Sequence, residues 1–466
     1  MPKAMTSPAG RFSSPILFTL AACLSLFACA TRPGHVRDLD VLAQDAGAYY
    51  APLPADAPLV TPEAQAEWVS TFRRTHFAPW HQARPSLAVD KALWGIQTYE
   101  KKALYGENTL PRDPEFMAEM RRLARPEAYP ALVARAVSIA DADLRTLPTD
   151  LPAFYAFDKP GEGYPFDYGQ DSRIPAGTPL LVTHASADNA WYFVESRVSS
   201  GWLAAGDLAL VDETFTAAWE ARPLAAVLAD DLALSDDAGR FRCLARIGTV
   251  LPLAENQPGG GLARLLVPAR DADGRAVVRE VAAPAAAVSR LPLPATPANF
   301  TRLANVMLGR PYGWGGLYGD RDCSALIQDL YAPFGRALPR NSSQQAKAGR
   351  AIPLAGLDAH AREALIAAEG LPFLSLLAKP GHIMLYLGVD PGSRRPAVLH
   401  AVWGVKTRLV GREGRFVLGR AVVTTLTPGD EIWNLARPDG LLVNTLTALV
   451  RLDQAPLPPA EHKQNQ

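Results

Sequence analysis

The spacing of apolar residues changes character along the chain. Between Thr61 and Ile139 it has a helical period, in PEAQAEWVSTFRRTHF, KALWGIQTYEKKA, DPEFMAEMRRLA and PALVARAVSIA. Thr61 and Asp113 precede two of these runs as N-cap candidates. This predicts a helical region over 61–149. From Asp150 to Leu210 the runs become short and β-rich, as in TPLLVTHASADNAWYFVESRVSSGWLAAGDLALV. Asp188-Asn189 and Ser199-Ser200-Gly201 break them as turns. A small barrel is expected over 150–215. A second set of strand-like runs predicts another over 232–293, with a turn at Asp271 to Gly274. Pro223 to Asp231 reads as a short helical link between the two. Pro294 to Pro297 reads as a linker into a last domain over 298–455, and Phe300 to Leu308 as an amphipathic helix. Leu326, Ile327, Leu330, Tyr331 and Phe334 recur at helical spacing, so SALIQDLYAPF is a helix. A further short helix ends near Gly370 and is placed at a groove rim. His382 to Leu387 and Ala397 to Val402 are short β-like runs. The pattern as a whole is α+β.

Composition narrows the function classes. A chain of 466 residues has room for two to four domains, and 48% apolar residues can fill their cores. The formal net charge of +0 gives no electrostatic argument for a nucleic-acid partner. With charged residues at 20%, the chain is not disordered by composition. Lys3 and Arg11, then an apolar run from Ile16 to Ala28, read as a signal peptide over 1–28. Leu26-Phe27-Ala28-Cys29 resembles a bacterial lipobox. That implies an exported lipoprotein anchored to a membrane through lipidated Cys29, and Ala30 suggests the outer membrane, facing the periplasm. The alternative is a plain signal peptide cleaved at a nearby small residue. Residues 29–60 read as a tether. His76 and His81 lack partners at metal-ligand spacing and are assigned to packing; His184 and His360 are assigned to the surface. No metal or other cofactor is expected.

The chemistry concentrates between Pro311 and Gln345, in PYGWGGLYGDRDCSALIQDLYAPFGRALPRNSSQQ. Cys323 follows a Gly- and aromatic-rich loop and opens a helix whose N-cap is Asp322. A helix N-terminus favours a thiolate, so a lowered thiol pKa is expected. His382 and His400, on two strand-like runs, supply the imidazoles that an activated thiol needs. Cys243 and Cys323 are expected to be free, since a bridge between them would disarm the nucleophile.

PYGWGG, DCSALI, LPRNSSQQ, PGHIMLYLG and LHAVWG, in that order, resemble the NlpC-type (p60-like) cysteine peptidases of bacterial cell walls over residues 300–430. The resemblance implies a papain-like domain preceded by a helical accessory region and two bacterial SH3-like barrels. It implies hydrolysis of peptidoglycan stem peptides, typically at the γ-D-glutamyl–diaminopimelate bond. Cys323 is then the nucleophile, His382 the base and His400 its orienting partner. The Cys323 N–H and the Tyr312 hydroxyl are the oxyanion donors. Asp322, Ser324, Arg340, Asn341, Trp314 and Tyr168 are candidate substrate-binding residues. The chain departs from the family pattern at Ala325, where Gly is usual, and at Asn341. Asp is frequent at the latter position in enzymes that require a free N-terminal L-Ala, so strict recognition of a free amine is in doubt here. Two other functions compete: a non-catalytic wall-binding lipoprotein, and a papain-like amidase or acyltransferase on another γ-glutamyl or lipid amide.

Overall fold

Thr61 accepts a hydrogen bond from the Ala64 N–H at 3.2 Å and, with Pro62 behind it, opens helix α1 (Pro62–His81). The computed structural model describes residues 35–257 and 260–453. The described residues from Val36 to Asp453 belong to one compact unit. The expected signal peptide and Cys29 lie outside the described residues.

α1 buries Trp68, Phe72, Phe77 and Trp80 in the main core. Helix α2 (Phe116–Ala124) follows two short helical turns. Its N-cap is Glu115; Asp113 sits two residues earlier and accepts from the Glu115 N–H at 2.8 Å. The helical expectation fails after α2. Ala134–Ser138 is strand β1 and Ala142–Arg145 is β2. An alanine-rich run carries little periodicity, and here its strand neighbours decide it. β1 and β2 join β3 (Gln170–Ile174), β4 (Pro179–Ala185), β5 (Trp191–Glu195), β6 (Ser200–Ala204) and β7 (Leu208–Leu210). Their sheet has the order β3-β2-β6-β5-β4-β1-β7 and forms the first barrel.

Helix α3 (Glu213–Glu220), capped by Asp212, leads to the second barrel. The expected helical link is instead strand β8 (Leu224–Val227), buried at every position. It pairs with β11 (Val250–Pro252) and β14 (Val288–Arg290). β9 (Leu232–Asp236), β10 (Phe241–Ala245), β12 (Leu262–Arg270) and β13 (Ala276–Pro284) make the second sheet of this barrel.

The last domain opens on α4 (Pro297–Met307), capped by Thr296. Phe300 stacks on Phe334, with centroids 3.9 Å apart, and on Phe373. Helix α5 (Cys323–Tyr331) follows, buried along its length. A six-stranded antiparallel sheet completes the domain. Its strands are β15 (Arg350–Pro353), β16 (Ser375–Lys379), β17 (His382–Val389), β18 (Pro396–Leu409), β19 (Arg412–Thr424) and β20 (Ala448–Arg451). Their order is β15-β20-β16-β17-β18-β19. α5 packs on β17 and β18. α6 (Ala359–Glu369) packs through Ile366 against Leu377 and Tyr386, away from the cavity that holds Cys323.

The stretch from Val36 to Val60 is no free tether. Val36, Leu42, Ala46 and Tyr49 are buried. The Asp38 carboxylate accepts from the Thr425 N–H at 2.7 Å and the Thr425 hydroxyl at 2.8 Å, and the Leu59 N–H donates to the Ala295 carbonyl. Four spaced apolar side chains clip the segment to the last domain. Among the described residues no helix is long and apolar enough to cross a membrane.

Candidate active site

Cys323 begins α5 because Asp322 caps it: the Asp322 carboxylate accepts from the Ala325 N–H at 2.8 Å. The same carboxylate is gripped by Arg340. Nη1 lies 3.0 Å from Oδ1 and Nη2 2.6 Å from Oδ2. Arg340 also donates to Ser324 Oγ at 2.9 Å and, through Nε, to Ser172 Oγ of the first barrel at 2.8 Å. Gln345 finishes the bracket, donating to the Ser324 and Pro339 carbonyls. The Pro-Arg-Asn-Ser-Ser-Gln-Gln run is therefore a clamp on the start of α5. Asp322 and Arg340 satisfy each other and are nine-tenths buried, so neither is left as a free charge for substrate. Burial works to raise the Asp322 carboxyl, but Arg340 and the cap hydrogen bonds outweigh it and hold it below its usual range.

A second buried arginine ties the site to the other barrel. Arg321 forms a two-pronged pair with Asp230, at 2.7 and 2.8 Å, and reaches Asp329 on α5 at 2.7 Å. The glycine loop is seated on the first barrel. Gly315 has φ +60°, and a Cβ there would stand 2.6 Å from the Gln170 carbonyl oxygen. Gln170 Nε2 donates to the Gly315 carbonyl at 3.2 Å.

The imidazoles come from adjacent strands. His382 opens β17 and His400 lies in β18, and His382 Nε2 is 2.8 Å from His400 Nδ1. His400 Nε2 is 3.0 Å from the Thr424 hydroxyl, which donates its own proton to the Thr425 carbonyl at 2.8 Å. Thr424 has one proton and has spent it, so it accepts from His400 Nε2–H. His400 Nδ1 then carries a lone pair and accepts from His382 Nε2–H. The proton-free nitrogen of His382 is Nδ1. Burial, then His400 and Lys379, hold His382 well below the usual histidine range. Burial and Lys379 bring His400 down to about 3. Both rings are neutral at ordinary pH.

Cys323 is buried, at 7% exposure. The backbone N–H groups of Ile383, next after His382, and of Ser324 lie near enough to its sulfur to favour the thiolate. This sets the thiol against the start of β17. The expectation of a lowered thiol pKa is overturned. Burial and the Asp322 carboxylate push it up to about 12, and the N–H donors offset only part of that. The free site holds a neutral thiol and neutral imidazoles.

One cavity of about 250 Å³ collects Tyr168, Tyr312, Trp314, Asp322, Cys323, Ser324, Arg340 and Asn341. The sequence missed further members, among them Trp94, Gln170 and Asp171. Burial, with Asp322 and Cys323 nearby, keeps the Tyr312 phenol protonated. Trp314 meets Phe166 edge to face, with centroids 5.2 Å apart, and Tyr168 at 5.6 Å, so aromatic rings form one wall. Cys243 is free but buried in the second barrel's core, its thiol pushed up to about 12. None of the other described histidines lines this cavity. His76 is buried and accepts from Arg197, and His81 pairs with Glu220. His184, expected at the surface, is fully buried: its Nδ1 accepts from the Ala131 N–H and its Nε2 donates to the Ala124 carbonyl. Among the described residues, no three His, Cys, Asp or Glu side chains gather as metal ligands.

Comparison with known proteins agrees with this fold. Residues 309–392 match the NlpC/P60 family, and residues 14–129 match the N-terminal NlpC/P60 stabilising domain. An SH3 domain of SH3b1 type matches 152–204 and one of SH3b2 type matches 212–257. A γ-D-glutamyl-L-lysine dipeptidyl-peptidase of Bacillus subtilis is 44% identical over 48 residues, 10% of this chain and 16% of that one. A probable endopeptidase of Corynebacterium glutamicum is 35% identical over 78 residues, 16% of this chain and 37% of that one. The chain thus spans well under half the length of either curated relative. The solved structure of an NlpC/P60 endopeptidase from Photobacterium damselae subsp. piscicida shares the fold, with TM-score 0.81 and 24% identity over 89% of this chain and 98% of that one. The chain thus carries, in this order, an N-terminal NlpC/P60 stabilising domain, two SH3 domains and an NlpC/P60 domain.

Proposed function

We propose that the protein is a cysteine endopeptidase that hydrolyses peptidoglycan stem peptides at the γ-D-glutamyl–diaminopimelate bond. The observation that carries this is the relay Thr424–His400–His382, which leaves the His382 Nδ1 lone pair unused at the start of β17, the strand on which the Cys323 helix packs. Because both groups are neutral at rest, the proton moves as the sulfur attacks. Cys323 Sγ–H gives its proton to His382 Nδ1, and Sγ bonds to the γ-glutamyl carbonyl carbon. The carbonyl oxygen becomes an oxyanion, met by the Cys323 N–H and the Tyr312 hydroxyl. His382 passes the proton to the diaminopimelate nitrogen as the C–N bond breaks. Water, deprotonated by His382, then releases the acyl group from sulfur and restores the thiol. His400 steadies the imidazolium formed in each half.

Trp314 and Tyr168 shape the wall along which the substrate lies, with Asn341 and Ser324 as polar contacts. The same reading places the protein in the cell envelope, exported and held at the outer membrane through lipidated Cys29. The test is mass spectrometry of purified peptidoglycan after digestion. New fragments should end in γ-D-glutamate and begin with diaminopimelate, and Cys323→Ala should produce none of them. Products cut elsewhere, or equal turnover by the variant, would remove the proposal.

A further inference from the structure

The hairpin of β18 and β19 ends in a tip that the fold does not use. Leu409 pairs with Arg412, leaving Val410 and Gly411 as a two-residue turn with φ +46° and +74°. A turn with positive φ at both positions favours Asn-Gly, because an L side chain is strained there, and a β-branched one most of all. The valine gains nothing from burial. Its side chain is 93% exposed, and a Cβ at Gly411 would meet no atom within 4 Å. Strain held with no packing to offset it points to function.

A tryptophan stands beside this tip. Thr407 bridges to Leu435, and the Arg408 N–H donates to the Asn434 carbonyl at 2.8 Å. Continuing that register sets Trp433 opposite Leu409. Trp433 is 78% exposed, so Val410 and Trp433 are the two most exposed large apolar side chains among the described residues. Charge surrounds them. From Lys406 to Arg415 the hairpin holds four cations, Lys406, Arg408, Arg412 and Arg415, against one acid, Glu413. Arg408 and Arg412 flank the turn and are exposed. The other acids nearby sit lower. Gly440, after Asp439, lies against the Lys406 carbonyl, and Gly429, before Asp430 and Glu431, lies against Val405. Those levels are about 13–16 Å from the turn along the strand.

The chain toward Cys29 leaves from this same region. Val36 packs with Val405, Ile432 and Leu435, and the Arg37 N–H donates to Glu431 at 2.6 Å. Cys29 precedes Val36 by seven residues, which span at most about 25 Å. A lipid on Cys29 would hold this corner of the last domain within that distance of a bilayer. An apolar point with an indole beside it and arginines around it suits a bilayer surface. Aliphatic side chains enter the acyl boundary, the indole sits at headgroup level, and the guanidinium groups meet phosphates.

We infer that the Leu409–Val410 tip and Trp433 form a reversible contact with the membrane, with anionic phospholipid as its partner. The contact goes beyond the lipid-anchor reading above and does not need it. Together the two would fix how the last domain is oriented on the bilayer, which a single flexible tether does not.

The test uses the chain from residue 29 with Cys29→Ser, which carries no lipid and keeps the compact unit from Val36 whole. Its partition is measured by cosedimentation with vesicles of phosphatidylethanolamine and about one-third phosphatidylglycerol, and with vesicles of phosphatidylcholine alone. The anionic vesicles should bind it about tenfold better. Val410→Asn and Trp433→Ser should each weaken that binding by about tenfold. Arg408→Gln combined with Arg412→Gln should cut the preference for anionic lipid to within about threefold. Val410→Asn also supplies the residue the turn favours, so its melting temperature should equal or exceed the parent's. No binding by the parent, binding that neither tip variant changes, a lipid preference that survives the arginine substitutions, or self-association in place of vesicle binding would overturn the inference. So would a Val410→Asn variant that melts lower, since the valine would then be serving the fold. Mass spectrometry of the N-terminus of the full chain recovered from membranes judges the lipid anchor separately. Vesicle binding by a protein found to carry no lipid would keep this surface and lose the anchor.

Discussion

His382 and His400 meet Nε2 to Nδ1 at 2.8 Å, with ring centroids 5.1 Å apart and planes inclined by 62°. Neither ring alone specifies where its proton sits. The direction of the chain is set at its far end, by a hydroxyl that has already given its proton to a carbonyl. Thr424 is thus a positioning residue for a base it does not touch. Thr424→Val keeps the shape and removes the acceptor. The expected result is a fall in kcat of about 10- to 100-fold with little change in KM. Thr424→Ser should restore most of the rate. A valine variant with unaltered kcat would show that the tautomer is fixed elsewhere.

The depressed histidines give a pH dependence with a definite sign. His382 accepts a proton only when neutral, and burial keeps it neutral well below the usual histidine range. The acid limb of kcat/KM should therefore lie below the ordinary value of about 6.5. Stability should move the other way on acidification. Below about 6.5 the unfolded chain protonates its histidines while His400 resists until about 3. The unfolded state binds more protons, so stability falls as pH drops through that window, by about 1.4 kcal/mol per pH unit for one such group. Denaturant melts between pH 7 and 4 should show His400→Gln with a shallower slope than the parent chain. Equal slopes would mean that His400 is not held neutral.

Much of the site was legible because it is local. An Asp before a Cys at the start of an apolar-periodic run is a capped helix whatever the tertiary context, and Cys323 follows from it. Its pKa was not legible, because the helix-end effect is local and the burial that overrules it is not. Asp171 and Trp94 reach the cavity from elements far along the chain, with no motif to mark them. Thr424 is read only once β18 and β19 are paired, with His400 opposite Val422. The misassigned strands share a different cause. β8 is an apolar run with no alternation, and such a run looks the same in a buried strand and a buried helix.

The Asp322–Arg340 pair was expected to meet substrate, and its burial makes it a structural element with a testable weight. Arg340→Met would leave the Asp322 carboxylate buried without its partner. Breaking a buried pair from one side costs about 3–5 kcal/mol. Arg340→Lys keeps a charge but loses the fork and the Ser172 contact, so its loss should be smaller. Chemical denaturation of the two variants should rank methionine below lysine below the parent. A methionine variant as stable as the parent would mean that Asp322 finds another partner or sheds its charge.

The seating of the glycine loop on the first barrel gives a last prediction, because it asks what the barrel does for the chemistry. Gly315 occupies a left-handed conformation against the Gln170 backbone, with no room for a Cβ. Gly315→Ala imposes strain of about 1 kcal/mol from the backbone alone and forces the loop off β3. Tyr312 and Trp314 precede it on the same loop, so the cavity wall should shift with it. Gln170→Ala removes the hydrogen bond to the Gly315 carbonyl while leaving the backbone free to stay in place. If the barrel positions the loop, Gly315→Ala should lose kcat/KM by more than tenfold, and Gln170→Ala by a smaller factor, about the worth of one hydrogen bond. The folded fraction should stay near that of the parent in both. If both variants kept full activity on stem peptides, the barrel would be a passive neighbour of the site.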